Sequence, residues 1–250
     1  KRALFGDRMI TLSVSSLRAR GLPQELLDAL KQSGHQSVTL APETGTERLR
    51  RVINKRLSDE DICESAVRVV RSGIPNLRLY FLVRLPTETM EDIEAIVALT
   101  KRIKHQILKA LEKKSLPGTI TLSVTPFVPK PFTPFQWVAL TDQKLLEERI
   151  KHIQRSLKKE QQVVVTADLP KWSYVQALLS RGDRRVSKIL LQVHQNIGDW
   201  NKAFRESDIN PDFFVYRQRE LTEILPWDFI DSGTKKETLV AEYHQALTVG

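Results

Sequence analysis

Four short segments, rich in polar residues or proline, each follow a predicted β-strand and are the first candidates for a functional site. They read Ser15-Ser16-Leu17-Arg18, Pro42-Glu43-Thr44-Gly45-Thr46, Arg84-Leu85-Pro86-Thr87-Glu88 and Pro126-Phe127-Val128-Pro129-Lys130-Pro131. The carboxyl ends of parallel strands share one edge of a sheet, and functional groups collect at that edge. We therefore expect the four segments to lie on one rim, and their convergence indicates a site more strongly than any one segment does.

Residue types and spacings exclude or disfavour several kinds of chemistry. The single cysteine, Cys63, excludes a disulfide framework and any multi-cysteine metal site built from this chain alone. The five histidines show no paired ligand spacing with carboxylates or cysteines. Glycine-rich phosphate and dinucleotide motifs are absent, and Ser15 and Ser16 lack the context of an activated nucleophile. The basic stretch 181–185 fits a phosphate-binding turn or, in preference, a structural network of Asp and Arg.

The first half of the chain alternates predicted strands with predicted helices. The strands are apolar, β-branched runs at 9–14, 37–41, 77–83 and 119–125. The pairs Ser58/Asp61 and Thr89/Asp92 have the spacing of capping boxes at helix starts. This alternation predicts an α/β fold in which parallel strands are joined by helical crossovers.

The pattern changes near residue 126, where four prolines lie within nine residues. Beyond them Thr141 is predicted to cap a helix to about residue 160, the run 163–166 is predicted as a lone strand, and 170–250 is predicted to be mostly helical. Trp172, Trp200 and Trp227 are expected to be packing anchors. We therefore predict two domains, 1–136 and 137–250.

The basic residues are concentrated in the middle of the chain. The net charge is +9, and residues 101–200 carry 18 basic against 8 acidic side chains. Such a surface favours weak contact with nucleic acid or an acidic partner, or it simply keeps the protein soluble. The absence of aromatic residues interleaved with the basic ones favours the second interpretation.

Three further expectations concern location and completeness. No apolar run is long enough to span a membrane, so no membrane association is expected. No secretion signal is visible, and a cytoplasmic location is predicted. The chain begins at Lys1 rather than Met, so we expect it to be part of a longer protein.

Three long stretches contain the rim segments that follow the second, third and fourth predicted strands: LAPETGTERLRRVINKRLSDEDI (40–62), LYFLVRLPTETMEDI (79–93) and SVTPFVPKPFTPFQW (123–137). Together they resemble radical S-adenosylmethionine (radical SAM) proteins. The resemblance is closest to the uncharacterised branch that often carries an N-terminal cobalamin-binding-like domain. The stretches ALLSRGDRRV (177–186) and LPWDFIDSG (225–233) are similar to the tail of that branch.

The resemblance implies a partial parallel (βα) barrel of about six units. In the family, an early CxxxCxxC loop holds an iron–sulfur cluster, whose open iron binds and reduces S-adenosylmethionine to give a deoxyadenosyl radical. This chain has no such motif. The resemblance therefore implies about four of the six units and a helical tail, with the cluster segment upstream of Lys1. S-adenosylmethionine and the cluster are the implied cofactors of the parent protein, and cobalamin is a further candidate.

Four residues are predicted to bind the cosubstrate. Glu43 could accept hydrogen bonds from an amino or ribose hydroxyl group, or instead pair with a neighbouring Arg while Gly45 makes the turn. Lys55 matches a basic position that in related barrels meets the methionyl carboxylate, or it is a solvated surface lysine. Arg18 could reach the barrel mouth, although a basic residue at a strand end is also common.

Arg84 departs from the family pattern, which has glycine before Leu-Pro. A glycine there would let the backbone approach the adenosine closely. Arginine is expected either to remodel the pocket or to point outward with the loop unchanged.

The predicted function is the C-terminal portion of a radical SAM enzyme of unknown substrate and unknown catalytic residues, inactive as this fragment alone. The alternative is a non-catalytic RNA- or protein-binding module that keeps part of the barrel as a scaffold. A CxxxCxxC motif in the upstream sequence would favour the enzyme.

Overall fold

A computed structural model describes residues 16–17 and 19–250, and four parallel strands in it form one sheet. The strands are β1 (Ser37–Glu43), β2 (Asn76–Val83), β3 (Ile120–Pro126) and β4 (Val163–Ala167), and they lie in the order β1-β2-β3-β4. Leu77 pairs with Ile120, which pairs with Val163. Leu17 bridges Leu40 on the free side of β1. The predicted strand 9–14 lies outside the described residues.

This sequential parallel order confirms the predicted α/β class. In a doubly wound sheet the strand order reverses at a switch point, whereas in a (βα) barrel each strand neighbours the next one along the chain. The order observed here is that of a partial barrel, and a helical region follows it.

Within the described residues, five helices precede or connect the strands. They are α1 (Gln24–Gln32), α2 (Glu47–Val52), α3 (Asp59–Arg71), α4 (Met90–Leu111) and α5 (Gln143–Leu157). Four of them, α1 and α3 to α5, bury apolar residues in one cluster with the strands. The capping box of α3 is present, because Ser58 and Asp61 exchange hydrogen bonds. The start of α5 differs from its prediction: Asp142, not Thr141, is the N-cap, and its carboxylate accepts from the Lys144 N–H.

The run near 163 is not a lone strand, because β4 pairs with β3 along its whole length. Helix α5 leads into β4 and buries Leu146, Ile150 and Ile153 in the core of the sheet. The sheet therefore extends past residue 136, where the sequence predicts a division into two domains. The division itself stays a prediction.

The two faces of the sheet differ in polarity. One face packs against the helices through alternate strand residues such as Leu40, Leu79 and Leu122. The opposite face carries mostly polar and partly exposed residues: Thr39, Arg78, Tyr80, Thr121, Thr125, Val164 and Thr166. A closed barrel fills this space with bulky apolar side chains. The open polar face is thus suited to line a solvent-filled interior.

The remaining helices form the tail. They are α6 (Pro170–Arg181), α7 (Val186–Gln195), α8 (Trp200–Glu206), α9 (Asp212–Val215) and α10 (Lys236–Val249). Among the predicted anchors, Trp227 is buried and Trp200 packs at the edge of a tail cluster. Trp172 is not an anchor, since half of it is exposed, and the most buried tryptophan is Trp137. No helix in the described part of the chain is long and apolar enough to cross a membrane.

Gly45 lies where the turn after β1 touches the backbone of α4. A Cβ atom added there would lie 2.4 Å from the Asp92 carbonyl oxygen and 2.4 Å from the Ile96 nitrogen. Because both atoms belong to the helix backbone, neither can move aside cheaply. The glycine therefore permits a close approach between the rim and α4, rather than simply making a turn.

We predict that Gly45→Ala lowers the free energy of unfolding by about 1–3 kcal/mol, the usual cost of overpacking. Urea unfolding followed by circular dichroism measures it. Gly198→Ala is the control, because Gly198 has open space around it but a φ of +86°. Its cost should be only that of a left-handed alanine, about 1 kcal/mol. An equal or smaller loss at Gly45 would contradict the close-contact explanation.

Candidate functional site

A cavity of about 580 Å³ lies at the carboxyl ends of the first three strands. Its walls come from the strand-end segments, the loop after α2, the proline-rich loop after β3 and the last helix, α10. Polar lining residues are Glu43, Arg51, Asn54, Lys55, Lys130, Thr133, Glu242 and Gln245. A volume of this size suits a small molecule.

Glu43 and Lys55 form an ion pair at this cavity. The Lys55 Nζ atom donates to Glu43 Oε1 at 3.0 Å, and each side chain keeps more than a quarter of its surface exposed. Among the described residues, the partner of Glu43 is therefore Lys55 rather than a neighbouring arginine. The structure thus brings together two of the four predicted site residues.

Arg50 fixes the two backbone segments that carry this pair. Its side chain is fully buried, and it donates through Nε to the Leu57 carbonyl at 2.8 Å and through Nη1 to the Thr44 carbonyl at 3.0 Å. It also forms an ion pair with Asp59. Since Thr44 follows Glu43 and the Leu57 carbonyl closes the loop that carries Lys55, one guanidinium sets the position of both residues.

Asp92 joins the turn after β1 to the start of α4. Its carboxylate accepts hydrogen bonds from the Thr46 hydroxyl and the Thr89 N–H and forms an ion pair with Arg48. Burial alone would raise the pKa of Asp92, but these hydrogen bonds and the Arg48 charge lower it overall. Arg48 also donates to the Thr87 carbonyl at 3.1 Å, so the loop after β2 belongs to the same network.

Arg84 does not line the cavity. Its Nε atom lies 3.5 Å from the Thr141 hydroxyl, near the start of α5. Its backbone has a φ of +67°, a left-handed conformation that glycine adopts without strain. The left-handed backbone therefore explains the glycine of the family pattern by itself, without a closely approaching adenosine. Arg18, the fourth predicted residue, lies outside the described residues.

Glu88 is a partly buried side chain that sequence reasoning missed. One of its carboxylate oxygens accepts from the Arg84 N–H at 2.6 Å, and the other is buried with no hydrogen-bond partner in residues 16–17 and 19–250. Burial raises the pKa of Glu88 to about 7. No sequence signal separates this glutamate from an exposed one, because its burial depends on how the loop folds back.

The basic stretch at the end of α6 proves to be structural. Arg181 is fully buried and donates to the carbonyls of Val215 and Arg217, at 2.8 and 2.6 Å. Asp183 pairs with Arg185 at 2.8 Å. These contacts fit the Asp–Arg network that sequence reasoning preferred over a phosphate-binding turn.

The described residues do not suit an iron–sulfur cluster. Cys63 is buried on α3, and burial raises the pKa of its thiol to about 11, whereas ligation requires the thiolate. No three His, Cys, Asp or Glu side chains come together as a metal-binding group within the described ranges. Any cluster would need ligands from elsewhere.

Comparison with known proteins agrees with the fold. Residues 1–100 match the Radical SAM superfamily. The chain is also 38% identical over 184 residues to Uncharacterized protein MJ0966 of Methanocaldococcus jannaschii. That alignment covers 74% of this chain but only 38% of the relative, so the chain spans well under half the length of the curated relative it matches.

The superfamily match includes two of the three rim stretches, 40–62 and 79–93. The resemblance seen in the rim motifs is thus confirmed at the level of the superfamily. Fusion to a cobalamin-binding-like domain, and the position of the cluster loop, stay predictions.

The buried carboxyl group of Glu88 predicts a pH-dependent stability. The unfolded chain releases this proton near the ordinary value of 4.5, whereas the folded chain holds it to about pH 7. Because the folded state binds more protons between these values, the free energy of unfolding falls as pH rises through that range, by up to about 3 kcal/mol. We predict that Glu88→Gln removes this fall.

Urea unfolding of both proteins at pH 4.5, 6 and 8 measures the effect. Gln can still accept the Arg84 N–H, so the loop should keep its shape. If the free energy of unfolding changes with pH in the same way in both proteins, the raised pKa of Glu88 is contradicted.

The left-handed backbone at residue 84 predicts a stabilising substitution. Arg84→Gly should raise the free energy of unfolding by about 1 kcal/mol, because a left-handed L-residue costs about 1–2 kcal/mol and the hydrogen bond from Arg84 to Thr141 is weak at 3.5 Å. Arg84→Ala is the control: it removes the guanidinium but keeps the strained backbone, so it should not stabilise. Thermal unfolding of the three proteins compares them, and equal stability of the glycine and alanine variants would refute the backbone explanation.

Proposed function

We propose that this chain is the C-terminal portion of a radical SAM enzyme and that Glu43 and Lys55 form part of its S-adenosylmethionine site. The superfamily match and the sequential parallel sheet support the class of protein. The observation that carries the site assignment is the Glu43–Lys55 pair, which is partly exposed at a cavity on the carboxyl rim.

The pair matches the charges of the ligand. S-adenosylmethionine carries an ammonium and a carboxylate on its methionyl end, and Glu43 and Lys55 offer one charge of each sign 3.0 Å apart. When the ligand binds, its ammonium can replace Lys55 as the partner of Glu43, and its carboxylate can replace Glu43 as the partner of Lys55. Neither side chain is then left unpaired. Charge-assisted hydrogen bonds of this kind are stronger than neutral ones.

The cluster would come from a segment upstream of Lys1, because the described residues do not suit it. When bound, such a cluster supplies the electron that cleaves S-adenosylmethionine. The present chain contributes binding and orientation, because Arg50 and Asp92 hold the rim segments in place. Fold alone does not identify the substrate.

Several finer proposals accompany this one. Cobalamin is a second cofactor candidate for the parent protein, and a cytoplasmic location remains the prediction.

The RNA- or protein-binding alternative depends on the basic residues in 101–200. Six of these cations already have acidic partners in the described part of the chain: Lys101, Arg102, Lys104, Lys151, Arg185 and Lys188. These pairs reduce the charge available to a nucleic acid.

A longer version of the protein that includes the upstream CxxxCxxC segment tests the proposal. After anaerobic reconstitution it should bind S-adenosylmethionine and release 5′-deoxyadenosine on reduction. Lys55→Met and Glu43→Gln should each weaken binding by about tenfold, the size of one charge-assisted hydrogen bond. Arg56→Met is the matched control, because Arg56 is adjacent and exposed but does not line the cavity.

The 250-residue chain, reconstituted in parallel, should retain no stoichiometric iron or sulfide. Loss of affinity in the Arg56 variant equal to that in the Lys55 variant would refute the site. No 5′-deoxyadenosine from the longer protein, together with RNA binding that persists near 0.2 M salt, would favour the alternative. In that case Ala at Lys158, Lys159, Arg184 and Arg185 should abolish the RNA complex.

A further inference from the structure

Two cations of the cavity, Lys130 and Arg51, have no acidic partner among the described residues, and of these two only Lys130 is partly buried. Its Nζ atom makes one hydrogen bond, to the Ser180 hydroxyl on α6 at 2.9 Å. An ammonium group has three donors, so two remain. The side chain is half-buried, and burial lowers its pKa. A partly desolvated charge without a counter-ion is costly, and a bound anion would remove that cost.

The position of Lys130 is well defined. It lies between Pro129 and Pro131, whose rings restrict the backbone on both sides. Its carbonyl accepts from the Thr133 hydroxyl at 2.8 Å, which closes the turn. With the tip held by Ser180, the ammonium is fixed at the cavity before any ligand arrives.

The charged side chains that line the cavity do not cancel one another. Lys55 is already neutralised by Glu43. Arg51 and Glu242 are both exposed, on α2 and α10, and carry one charge of each sign. The lining as a whole therefore has one excess positive charge. Lys130, on the proline-rich loop, is the less exposed of the two unpaired cations.

The walls next to this charge are apolar and rigid. They include Leu82, Phe127, Val128, Phe135 and Ala246. Phe127 and Phe135 meet edge to face, with ring centroids 5.7 Å apart, and Phe135 meets Tyr243 of α10 in the same way at 6.3 Å. Such a surface suits the hydrocarbon part of a ligand.

We propose that the cavity binds a small molecule with an apolar body and one anionic group, the anion lying on Lys130, and that this is the substrate class of the enzyme. The substrate role rests on the proposed function above, whereas the binding itself does not. The anionic group on Lys130 has a second candidate, the methionyl carboxylate of S-adenosylmethionine. The experiment below distinguishes that carboxylate from a separate substrate.

Isothermal titration calorimetry of the 250-residue chain with three eight-carbon probes tests the proposal. Octanoate should bind at least tenfold more tightly than octan-1-ol, and octylammonium more weakly than either. Lys130→Gln should remove the preference for octanoate and leave octan-1-ol binding within twofold. Lys130→Arg, which keeps the charge, should retain most of the preference. Lys113→Gln is the control for net charge, because Lys113 is exposed and follows α4 at the opposite end of the strands.

Thermal unfolding first verifies that each variant is folded. If Lys130→Gln is not, Ser180→Ala replaces it, since loss of the Ser180 hydroxyl frees the ammonium and should weaken octanoate binding severalfold. Octanoate binding that persists in excess S-adenosylmethionine supports a separate substrate. Complete displacement by S-adenosylmethionine, no heat with millimolar octanoate, or equal affinity for all three probes would overturn the proposal. Because no cluster is needed, these results are independent of 5′-deoxyadenosine production.

Discussion

Parallel pairing of strands that are consecutive in the chain is the constraint on which the candidate site depends. A parallel pair needs a connection that returns to the starting edge of the sheet, and here helices α3, α4 and α5 lie in those connections and pack on one face. Every strand then ends at the same rim. The opposite face stays open and polar, so that a cavity can form between the rim and the tail.

The rim is held by charged groups that are satisfied internally. Arg50 and Asp92 are buried, yet each has several hydrogen-bond partners, which is the condition under which a buried charge is tolerated. The same rim contains several non-glycine residues in left-handed conformations, and two of them, Glu43 and Arg84, lie directly at the end of a strand. Strain of this kind persists only where the surroundings over-determine the backbone. The buried network around Asp92 provides that support.

Local signals in the sequence predicted the elements of the first half well, and tertiary contacts account for what they missed. The runs at 37–41, 77–83 and 119–125 are apolar and β-branched, and the observed strands overlap all three. The pairing of Val163–Ala167 with β3 could not be read in the same way, because a proline-rich loop and a long helix separate the two strands. Trp172 is exposed and Trp137 is buried for a similar reason, since the neighbours of a tryptophan are not encoded nearby.

The candidate site shows the same division between local and distant information. Glu43 and Lys55 could be predicted to share a site because both lie in one continuous motif that starts at the end of β1. The role of Lys130 depends on Ser180, fifty residues away, and on a wall supplied by α10. No local pattern distinguishes that lysine from a solvated one.

Charge compensation separates the two ends of the cavity. A paired cation such as Lys55 can release its partner only to a ligand that also supplies a cation for Glu43, which selects a zwitterion. An unpaired cation such as Lys130 selects an anion alone. The two proposals together thus assign positions of different selectivity to one cavity of about 580 Å³, an arrangement suited to an enzyme that brings a zwitterionic cosubstrate to a second, anionic molecule.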